Sequence, residues 1–536
     1  MTLARYEAAL KSRAMAAFSL EEGALAGFHL AAPPAHIDCD ASIAWPISAA
    51  RLLKKSPLKI AEELASALAA DCAAQAVAPG FVNIKFSNEF LFGALKDLEK
   101  PGCFAQPAFA GEKINLEFVS ANPTGPMHLA SGRGATLGDS LARIFRALGA
   151  EVATEFYVNN VGNQVELLGR SLKARYAKEE PPENGYQGDY LKEMAAALPA
   201  EAAGWPDARF SEHAVAEMLK LHRADMKAFG VEFDRWFLES ELHQAGAPAR
   251  TLADLKARSM TYEKEGAVWL GTSTVMESED DKDRVLVKSD GRNTYFLNDI
   301  AYHLDKFDRG FTTVMDIWGA DHHGHVPRME AAVAALGREK NKFKVIIHQQ
   351  VALLRGEEVI KMSKRAGDFI ALKELVGDVG TDACRFFFAA RGPHAHLTFD
   401  VELAKKKSND NPVFYVQYVH ARISSIFANA AEKGIDPAAG FDETGVVINA
   451  AERALMLKLL WLEKVLLDCA REFSPHLLTT YLTELAASFH SFYANCKVLD
   501  PEHREVSAYR LFLLRHVQAI IARGLGLLGV SAPERM

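Results

Sequence analysis

A histidine and two glycines mark the start of a predicted helix, in the segment MHLASGRG that begins at Met127. The free amide groups and the dipole of a helix N-terminus favour an anion, and the His128 side chain can donate to a phosphate oxygen. Ser131 and Gly132 lie in the first turn of this helix, so they are candidate phosphate contacts. The glycine spacing does not fit the dinucleotide pattern G-x-G-x-x-G, and the sequence has no Gly-Lys dipeptide for a Walker A loop. A tight connection without a ligand is the alternative interpretation.

The segment KMSKR at residues 361–365 places three cations in five positions. Such a segment suits a loop that closes over a polyphosphate and stabilises the negative charge that develops on a leaving pyrophosphate. A solvated charged surface is the alternative, and the pairing with the histidine-containing turn favours phosphate chemistry. Lys361, Ser363 and Lys364 are therefore candidate catalytic residues, with Lys364 as the nucleotide-binding cation.

The elements around the histidine turn predict a catalytic α/β unit. A strand at 114–119 leads into the turn, a helix with one apolar face follows, and the strand VATEFYV comes directly after Gly149. Strand–loop–helix–strand is the start of a doubly wound parallel sheet of the Rossmann-like kind. A charged region at about 165–285 predicts a helical insertion, after which VMDIWGADHHGH and KVIIHQQVALL resume the α/β pattern.

Two further units flank this catalytic unit, which we place at 109–400. Residues 1–108 are typical of a small α/β domain, with amphipathic helices near 3–17 and 57–74 and a strand in GFVNIKFS. Residues 401–536 are almost wholly helical and predict an α-helical bundle. The sequence thus predicts three domains.

Composition and charge restrict the class of protein. The 536 residues are too many for a single core, and the net charge of −8 argues against a general nucleic-acid coat while allowing a local basic surface. The six cysteines form no C-x-x-C pair, which argues against a zinc site or a disulfide framework and favours a reducing cytoplasm. The N-terminus lacks the apolar run of a signal peptide. The most apolar stretch, ALMLKLLWLEKVLLDC, is interrupted by charges and predicts a packed amphipathic helix, so no membrane contact is expected.

The segments MHLAS and KMSKR resemble the two signature motifs of class I aminoacyl-tRNA synthetases. An ordered series of segments around them resembles the arginyl-tRNA synthetases over nearly the whole chain: PGFVNI, EFVSANPTGPMH, EFYVNNVGNQV, YQGDYLKE, YFLNDIAYHLDKF, WGADHHGHVPRM, NPVFYVQYVHARI and LLGVSAPERM. The resemblance implies activation of L-arginine by ATP with Mg²⁺, and transfer of arginine from the adenylate to the 3′ end of tRNA(Arg). It also implies a cytoplasmic monomer without a tightly bound metal, an anticodon-binding helical domain and an N-terminal domain that touches the tRNA elbow.

Four residues match the arginine-binding positions of that family: Glu117, Asn122, Tyr295 and Asp299. A guanidinium is a planar fork of donors and needs carboxylate acceptors, which Glu117 and Asp299 would supply. Asn122 matches the residue that holds the backbone groups of the substrate. Tyr295 and Asp299 are four residues apart, so they share one face of a helix. Taken singly, three of them have a structural alternative: Glu117 as a charge at a strand edge, Tyr295 as a core residue and Asp299 as a surface residue of a helix.

The segment WGADHHGH resembles the family's adenosine-contacting segment, which makes Gly319, Asp321 and His322 candidate ATP-binding residues. Its three histidines also resemble metal ligands, an alternative that the family resemblance disfavours.

In the helical region, Tyr415, Tyr418 and Arg422 lie on one helix face that can stack on anticodon bases and bind phosphate. The family's terminal tRNA contact is matched by Met536.

One departure from the family pattern concerns the first motif, which usually has the form His-x-Gly-His. Here Ala130 replaces the glycine and Ser131 the second histidine, and a serine can donate to an oxygen but carries no charge. This departure motivates one alternative function, a non-catalytic synthetase-like tRNA-binding protein. A class I synthetase for another amino acid is a second alternative, although a pocket with two carboxylates favours arginine.

Overall fold

The computed structural model describes residues 2–34, 36–272, 283–356, 358–360 and 370–536. Its N-terminal elements form an antiparallel three-stranded sheet, in the order β1-β3-β2, covered by helices. These elements are α1 (Leu3–Phe18), β1 (Ala41–Ile43), α2 (Trp45–Leu53), α3 (Pro57–Leu68), β2 (Ala73–Val77), β3 (Phe81–Lys85) and α4 (Asn88–Leu98). The helix predicted over 57–74 therefore ends at Leu68, and the residues from Ala73 onward pair with β3 as an edge strand.

The central elements comprise the main sheet and the helices that cover it. They are β4 (Lys113–Phe118), α5 (Leu129–Ala147), β5 (Glu151–Val158), α6 (Asn163–Tyr176), α7 (Asp189–Ala196), α8 (Asp207–Ala228), β6 (Arg235–Leu238), α9 (Glu239–Gln244), α10 (Ala247–Ala257), β7 (Thr261–Lys264), β8 (Ala267–Leu270), β9 (Arg284–Val287), α11 (Tyr295–Asp308), β10 (Thr313–Gly319), α12 (Val326–Ala335), β11 (Phe343–His348), β12 (Val351–Arg355), β13 (Glu358–Ile360), α13 (Leu372–Val379), α14 (Thr381–Ala389) and β14 (Leu397–Asp400).

The main sheet has five parallel strands in the order β11-β10-β4-β5-β6, which confirms the predicted α/β fold class. After β4, the strands β5 and β6 are added on one side of it, and β10 and β11 are then added on its other side. The strand order therefore reverses between β4 and β10, and ligands of such sheets bind in the crevice at the carboxyl ends of those strands. Helix α5 packs on one face, where Gly138 lies against the Phe118 ring because no side chain separates them.

The region predicted as a helical insertion, 165–285, differs from that expectation. Helices α6, α7 and α8 do form a separate apolar cluster around Leu172 and Phe210. However, β6 completes the main sheet, and β7, β8 and β9 form an antiparallel sheet of their own. Strands of only four residues lack the long apolar runs by which buried strands are found in a sequence.

The last elements form the predicted helical bundle: α15 (Val401–Lys405), α16 (Pro412–Glu432), α17 (Ala450–Leu460), α18 (Leu462–Arg471), α19 (His476–Asn495) and α20 (Arg504–Leu527). The apolar stretch expected to be one amphipathic helix is two, α17 and α18, which meet at Trp461. Among the residues that the structure describes, no helix is both long and apolar enough to cross a membrane.

The beginning of the chain is fastened to this bundle by Glu463, whose side chain is buried. Its carboxylate accepts hydrogen bonds from the Thr2 hydroxyl at 3.0 Å, the Ala4 amide at 2.8 Å and the Gln106 side chain at 2.7 Å. The carboxylate thereby caps the N-terminus of α1, where unpaired amides otherwise need a partner.

Candidate active site

The turn before α5 lies at the crevice between β4 and β10, as the order of the strands requires. His128 has an extended backbone just before the first helical residue, and its backbone pairs with Ala371 in an antiparallel bridge. The Leu372 amide donates to the Met127 carbonyl at 2.9 Å beside it. The turn predicted to bind phosphate is therefore joined to the residues that follow the segment 361–369. Lys361, Ser363 and Lys364 themselves lie outside the described residues, so their predicted roles stay predictions.

The first turn of α5 is tightly packed. Ser131 is buried, with 6% of its surface exposed. Gly132 donates its amide to the His128 carbonyl at 3.2 Å, and a Cβ there would lie 2.6 Å from Leu372 Cδ1 and 3.0 Å from Phe388 Cε2. Close packing by itself therefore explains a glycine at this position, whether or not a ligand binds there. The predicted nucleotide contact of Gly132 remains a prediction.

Two buried residues beside this turn were not found in the sequence. Arg133 donates to the carbonyl groups of Gln349, Gly392 and Ala395 at 2.7, 2.9 and 2.8 Å, so it fastens two loops to α5. His348, at the carboxyl end of β11, is 8% exposed. Burial, followed by the positive charge of Arg133, lowers the pKa of His348 to about 4. The ring is therefore neutral at physiological pH beside the helix that is expected to bind phosphate.

The predicted adenosine segment follows β10 as a short 3₁₀ helix, Ala320–His325. Gly319 pairs in register with His348, so both lie at the carboxyl edge of the sheet. An open cavity of about 370 Å³ lies at this edge. Its lining residues are Asp299, Asp321, His322, Gly324, His325 and Arg328.

This cavity brings a predicted arginine-binding residue, Asp299, together with two predicted ATP-binding residues, Asp321 and His322. Within it, His325 Nε2 lies 3.2 Å from Asp299 Oδ2. No group of three potential ligand side chains among the described residues is arranged to hold a metal ion.

Three acidic residues stand in register on adjacent strands of the main sheet: Asp316 on β10, Glu117 on β4 and Glu155 on β5. All three are buried on the face that α11 covers. Lys306 of α11 donates to Glu117 at 2.6 Å and to Asp316 at 2.7 Å. Arg309 makes two bonds to Glu155, of 2.6 and 2.8 Å. Helix α11 thus supplies the cations that compensate these carboxylates, as buried charges require.

The electrostatics of this layer keep its members charged. Burial alone would raise the pKa of Asp316, but Lys306 and then His303 outweigh burial and lower it to about 2. Burial would lower the pKa of His303, and the Asp316 carboxylate raises it instead. The two side chains are 2.6 Å apart.

Glu117, a predicted guanidinium ligand, is held on both oxygens by the protein. One oxygen accepts from Lys306 and the other from the Ser120 hydroxyl at 2.7 Å. Only 6% of the residue is exposed. Asn122, on the same loop, is exposed and donates to Gln164 at 2.9 Å. The Asn122 side chain is therefore accessible at the surface, whereas Glu117 is bonded within the buried layer of charged residues.

Two residues at the same edge of the sheet were missed by the sequence reasoning: Tyr157 and Glu239. Burial raises the pKa of Tyr157, and the nearby carboxylates of Glu239, Asp299 and Glu117 raise it further. Glu239 opens α9 and is 3% exposed, and burial raises its pKa. The negative charge of these three carboxylates thus acts on the Tyr157 side chain. Their spacing along the chain gave no signal, since β4, β5, α9 and α11 converge only in the fold.

Tyr295 is the first residue of α11 and is 68% exposed, so the alternative of a core tyrosine is wrong. A Cβ on Gly162 would lie 3.7 Å from its hydroxyl oxygen. Tyr295 therefore stands over the loop after β5, one helical turn from Asp299.

The predicted anticodon face lies on α16, packed against α19. The Tyr415 ring lies 4.8 Å from the His490 ring, and the Tyr418 ring stacks on the same histidine at 6.1 Å. The Arg422 guanidinium lies 5.2 Å from the centre of the Tyr493 ring. The two tyrosines are half-buried while Arg422 is exposed, so the face is a partly open aromatic surface.

The chain's last residues run beside this face. The Asp382 carboxylate of α14 accepts from the Ser531 amide at 3.0 Å and from the Gln417 side chain of α16 at 2.8 Å. His420 bonds to the Pro533 carbonyl at 2.9 Å. Met536 follows and is 54% exposed.

Comparison with known proteins identifies the family. Residues 5–86 match the arginyl tRNA synthetase N terminal domain, and residues 416–536 match the DALR anticodon binding domain. An arginine–tRNA ligase from Elusimicrobium minutum is 52% identical over 511 residues, which cover 94% of this chain and 94% of that protein. The chain belongs to the arginine–tRNA ligases. Another member of the family, from Thermotoga petrophila, is 43% identical over 527 residues, covering 95% of this chain and 96% of its own.

The fold is also that of a solved arginyl-tRNA synthetase. The structure from Thermus thermophilus superposes with a TM-score of 0.81 and covers 99% of this chain and 100% of its own, at 24% identity. This likeness shows the fold alone. The family of arginine–tRNA ligases consists of aminoacyl-tRNA synthetases, enzymes that use ATP, so the predicted enzyme class is confirmed.

Proposed function

We propose that the chain activates L-arginine with Mg-ATP and transfers it to the 3′ end of tRNA(Arg). The observation that carries the proposal is the open cavity lined by the carboxylates of Asp299 and Asp321, together with His322. They stand at the carboxyl edge of the sheet, where a parallel α/β fold binds its ligand. A substrate with a cationic side chain fits these carboxylates better than a neutral amino acid does.

The reaction has two steps. A carboxylate oxygen of arginine attacks the α-phosphorus of ATP, which forms the P–O bond of arginyl-adenylate and expels pyrophosphate. A ribose hydroxyl of the tRNA 3′ end then attacks the carbonyl carbon of the adenylate, loses its proton and expels AMP. The Mg²⁺ ion enters with ATP as part of the substrate. The protein's part is to position the reactants and to stabilise charge, as in other phosphoryl-transfer sites.

The guanidinium is placed between Asp299 and Glu239, with Tyr295 at the mouth of the site. Asp299 lines the open cavity. Glu239 is buried and accepts a hydrogen bond at 3.4 Å from the side chain of Asn298, the residue before Asp299. Glu117, in contrast, is already bonded to Lys306 and Ser120, so we assign it the role of shaping the site from below. Asn122 is left to hold the backbone groups of the substrate, as the family resemblance implies.

The nucleotide is placed along the crevice from the α5 turn to the 3₁₀ helix after β10. His128 and the amides of the first helical turn face the phosphates, with Ser131 in place of the family's second histidine. Gly319, Asp321 and His322 border the adenosine. Lys361, Ser363 and Lys364 act on the leaving pyrophosphate from the segment that re-enters the fold beside His128.

In this proposal the tRNA contacts all three parts of the chain. We propose a division into residues 1–108 for the tRNA elbow, 109–400 for catalysis and 401–536 for the anticodon. The match of residues 416–536 to an anticodon binding domain supports the last of these. Tyr415 and Tyr418 stack on anticodon bases, while Arg422 and Met536 complete the surface. We place this activity in the cytoplasm, where translation uses its product, and in a monomer.

The direct test is arginine-dependent exchange between ATP and pyrophosphate, with and without tRNA(Arg), followed by charging of the tRNA. Exchange and charging with arginine, and with no other amino acid, are the expected results. Absence of exchange in the presence of cognate tRNA would sink the proposal and favour a tRNA-binding protein without catalysis. Lys364→Ala should lower the exchange rate far more than it weakens tRNA binding. Equal effects on both would refute its assigned role.

A further inference from the structure

Lys306 occupies a central place beneath the candidate arginine site. Its side chain is fully buried, with an exposure of 0%, and its ammonium group lies between the carboxylates of Glu117 and Asp316. The ammonium also lies 4.4 Å from the centre of the Tyr302 ring. Three donors on a compact ammonium allow one lysine to hold two carboxylates at once. Lys306 does not line the open cavity, so it acts through the groups that it holds.

On one side, the hydrogen bonds continue from Lys306 to the guanidinium end of the site. Asp316 accepts from Lys306 on one oxygen and bonds to His303 Nε2 on the other, at 2.6 Å. The second ring nitrogen of His303 bonds to the backbone carbonyl of Asp299 at 2.7 Å. The position of Asp299 on α11 is therefore fixed by contacts that lead back to Lys306.

On the other side, the bonds lead to the loop that is expected to hold the reacting end of the substrate. Glu117 accepts from Lys306 and from the Ser120 hydroxyl, and the Ser120 oxygen accepts from the Tyr157 amide at 3.0 Å. Val119 and Ser120 have positive φ angles of 70° and 39°. A β-branched residue rarely adopts such a φ, so the loop keeps this conformation only because its contacts impose it.

We propose that Lys306 is a positioning residue that sets the distance between the two ends of the arginine site and thereby the length of side chain that the site accepts. The inference rests on the proposed function. A continuous series of hydrogen bonds runs from the Asp299 carbonyl to the Ser120 loop, and Lys306 is its central member. Without the ammonium, Glu117 and Asp316 lose their shared partner, and the hydrogen-bonded link from α11 through Glu117 to the Ser120 loop is lost.

The neighbouring pair of Arg309 and Glu155 offers a matched comparison. It joins the end of the same helix to the same face of the sheet, with Glu155 buried and the Arg309 side chain 22% exposed. Arg309 bonds to Glu155, which also accepts from the Tyr302 hydroxyl at 2.7 Å, but neither contacts Glu117 or Asp316 through a hydrogen bond in the described structure. Loss of the Arg309–Glu155 pair should therefore lower the stability of the protein without changing the length of side chain that the site accepts.

The experiment compares kcat/KM for three substrates in tRNA charging: arginine, homoarginine with one methylene more, and 2-amino-4-guanidinobutanoate with one methylene fewer. One methylene is worth roughly 10- to 200-fold in a well-fitted site. In Lys306→Met, we expect the preference for arginine over both homologues to fall about tenfold or more. In Arg309→Gln, we expect the preference to stay at the wild-type value, although the midpoint of thermal unfolding falls.

Ser120→Ala provides a second variant, because it removes the two bonds of the Ser120 hydroxyl, to Glu117 and from the Tyr157 amide, without removing a buried charge. We expect it to reduce the preference in the same direction and by a smaller factor. It decides the question should Lys306→Met fail to fold. An unchanged preference in the folded variants, or an equal loss in Arg309→Gln, would overturn the role of Lys306. A wild-type protein that charges no tRNA with arginine would instead refute the proposed function.

Discussion

The amide of Leu372 and the carbonyl of Met127 form a hydrogen bond of 2.9 Å that joins the turn before α5 to the start of α13. The two residues are far apart in the chain, and the bridge between His128 and Ala371 lies beside this bond. Gly132 lies against the same Leu372 side chain. Backbone pairing and close packing therefore hold the histidine turn against the start of α13.

Gly132→Ala tests that packing. The added Cβ would come within 2.6 Å of Leu372 and 3.0 Å of Phe388, so the helices must shift. We expect the free energy of unfolding to fall by about 1–3 kcal/mol, measured by urea denaturation. Gly93→Ala is the control, because that helical glycine of α4 has nothing within 4 Å of an added Cβ. The control should gain about 0.5–1 kcal/mol, and an equal loss in both variants would argue against the packing explanation.

His348 should make the protein less stable in acid. Its pKa is about 4 in the folded protein and about 6.5 when unfolded, so the unfolded state binds the extra proton as pH falls from 6.5 to 4. Full stability is present above pH 6.5, and about 3 kcal/mol is lost by pH 4. Urea denaturation at several pH values should show that the free energy of unfolding depends less steeply on pH in His348→Asn than in the wild type. Identical slopes for variant and wild type would contradict this assignment.

Asp299→Asn removes the charge of a carboxylate that lines the cavity. A hydrogen bond to a charged group contributes about 1.5–3 kcal/mol, so the KM for arginine should rise roughly 10- to 150-fold while the KM for ATP stays nearly constant. Asp308→Asn is the matched control on the same helix, since Asp308 pairs at the surface with Arg338 at 2.7 Å. Steady-state charging kinetics check both variants. Equal KM values for arginine in wild type and Asp299→Asn would remove Asp299 from the site.

Tyr418→Ala should weaken recognition of the tRNA. Stacking of a base on an aromatic ring is worth about 1–3 kcal/mol, which predicts a rise of roughly 5- to 150-fold in the KM for tRNA. The KM for arginine should not change. Ser425→Ala, on an exposed part of α16, serves as control. A Tyr418→Ala enzyme with wild-type KM for tRNA would indicate that the ring is only a packing partner of His490.

The sequence predicted the parallel sheet, the helical bundle and the flanking strands of the histidine turn, because β4, α5 and β5 follow one another with clear apolar patterns. It did not reveal β6 or the antiparallel sheet of β7, β8 and β9. Those strands are only four residues each, so periodicity gives little signal. The early end of α3 was missed because Ala73–Val77 also suits a helix until it pairs with β3.

The candidate site was predicted in part. Asp299, Asp321 and His322 meet at one cavity, as the family resemblance leads one to expect. The engagement of Glu117 by Lys306 was not foreseen, because it depends on the register of two strands and on the rotation of a helix that begins far downstream. Glu239 and His348 were missed for the same reason. Burial, which sets the charge of both, is a property of the folded chain.

The cap on the first helix has a consequence for biosynthesis. Ala4 is synthesised before its acceptor Glu463, which lies 459 residues further along the chain. At about 5–20 residues per second, that interval is on the order of a minute. The N-terminus of α1 thus acquires this cap only after the ribosome has made the long stretch of chain between Ala4 and Glu463.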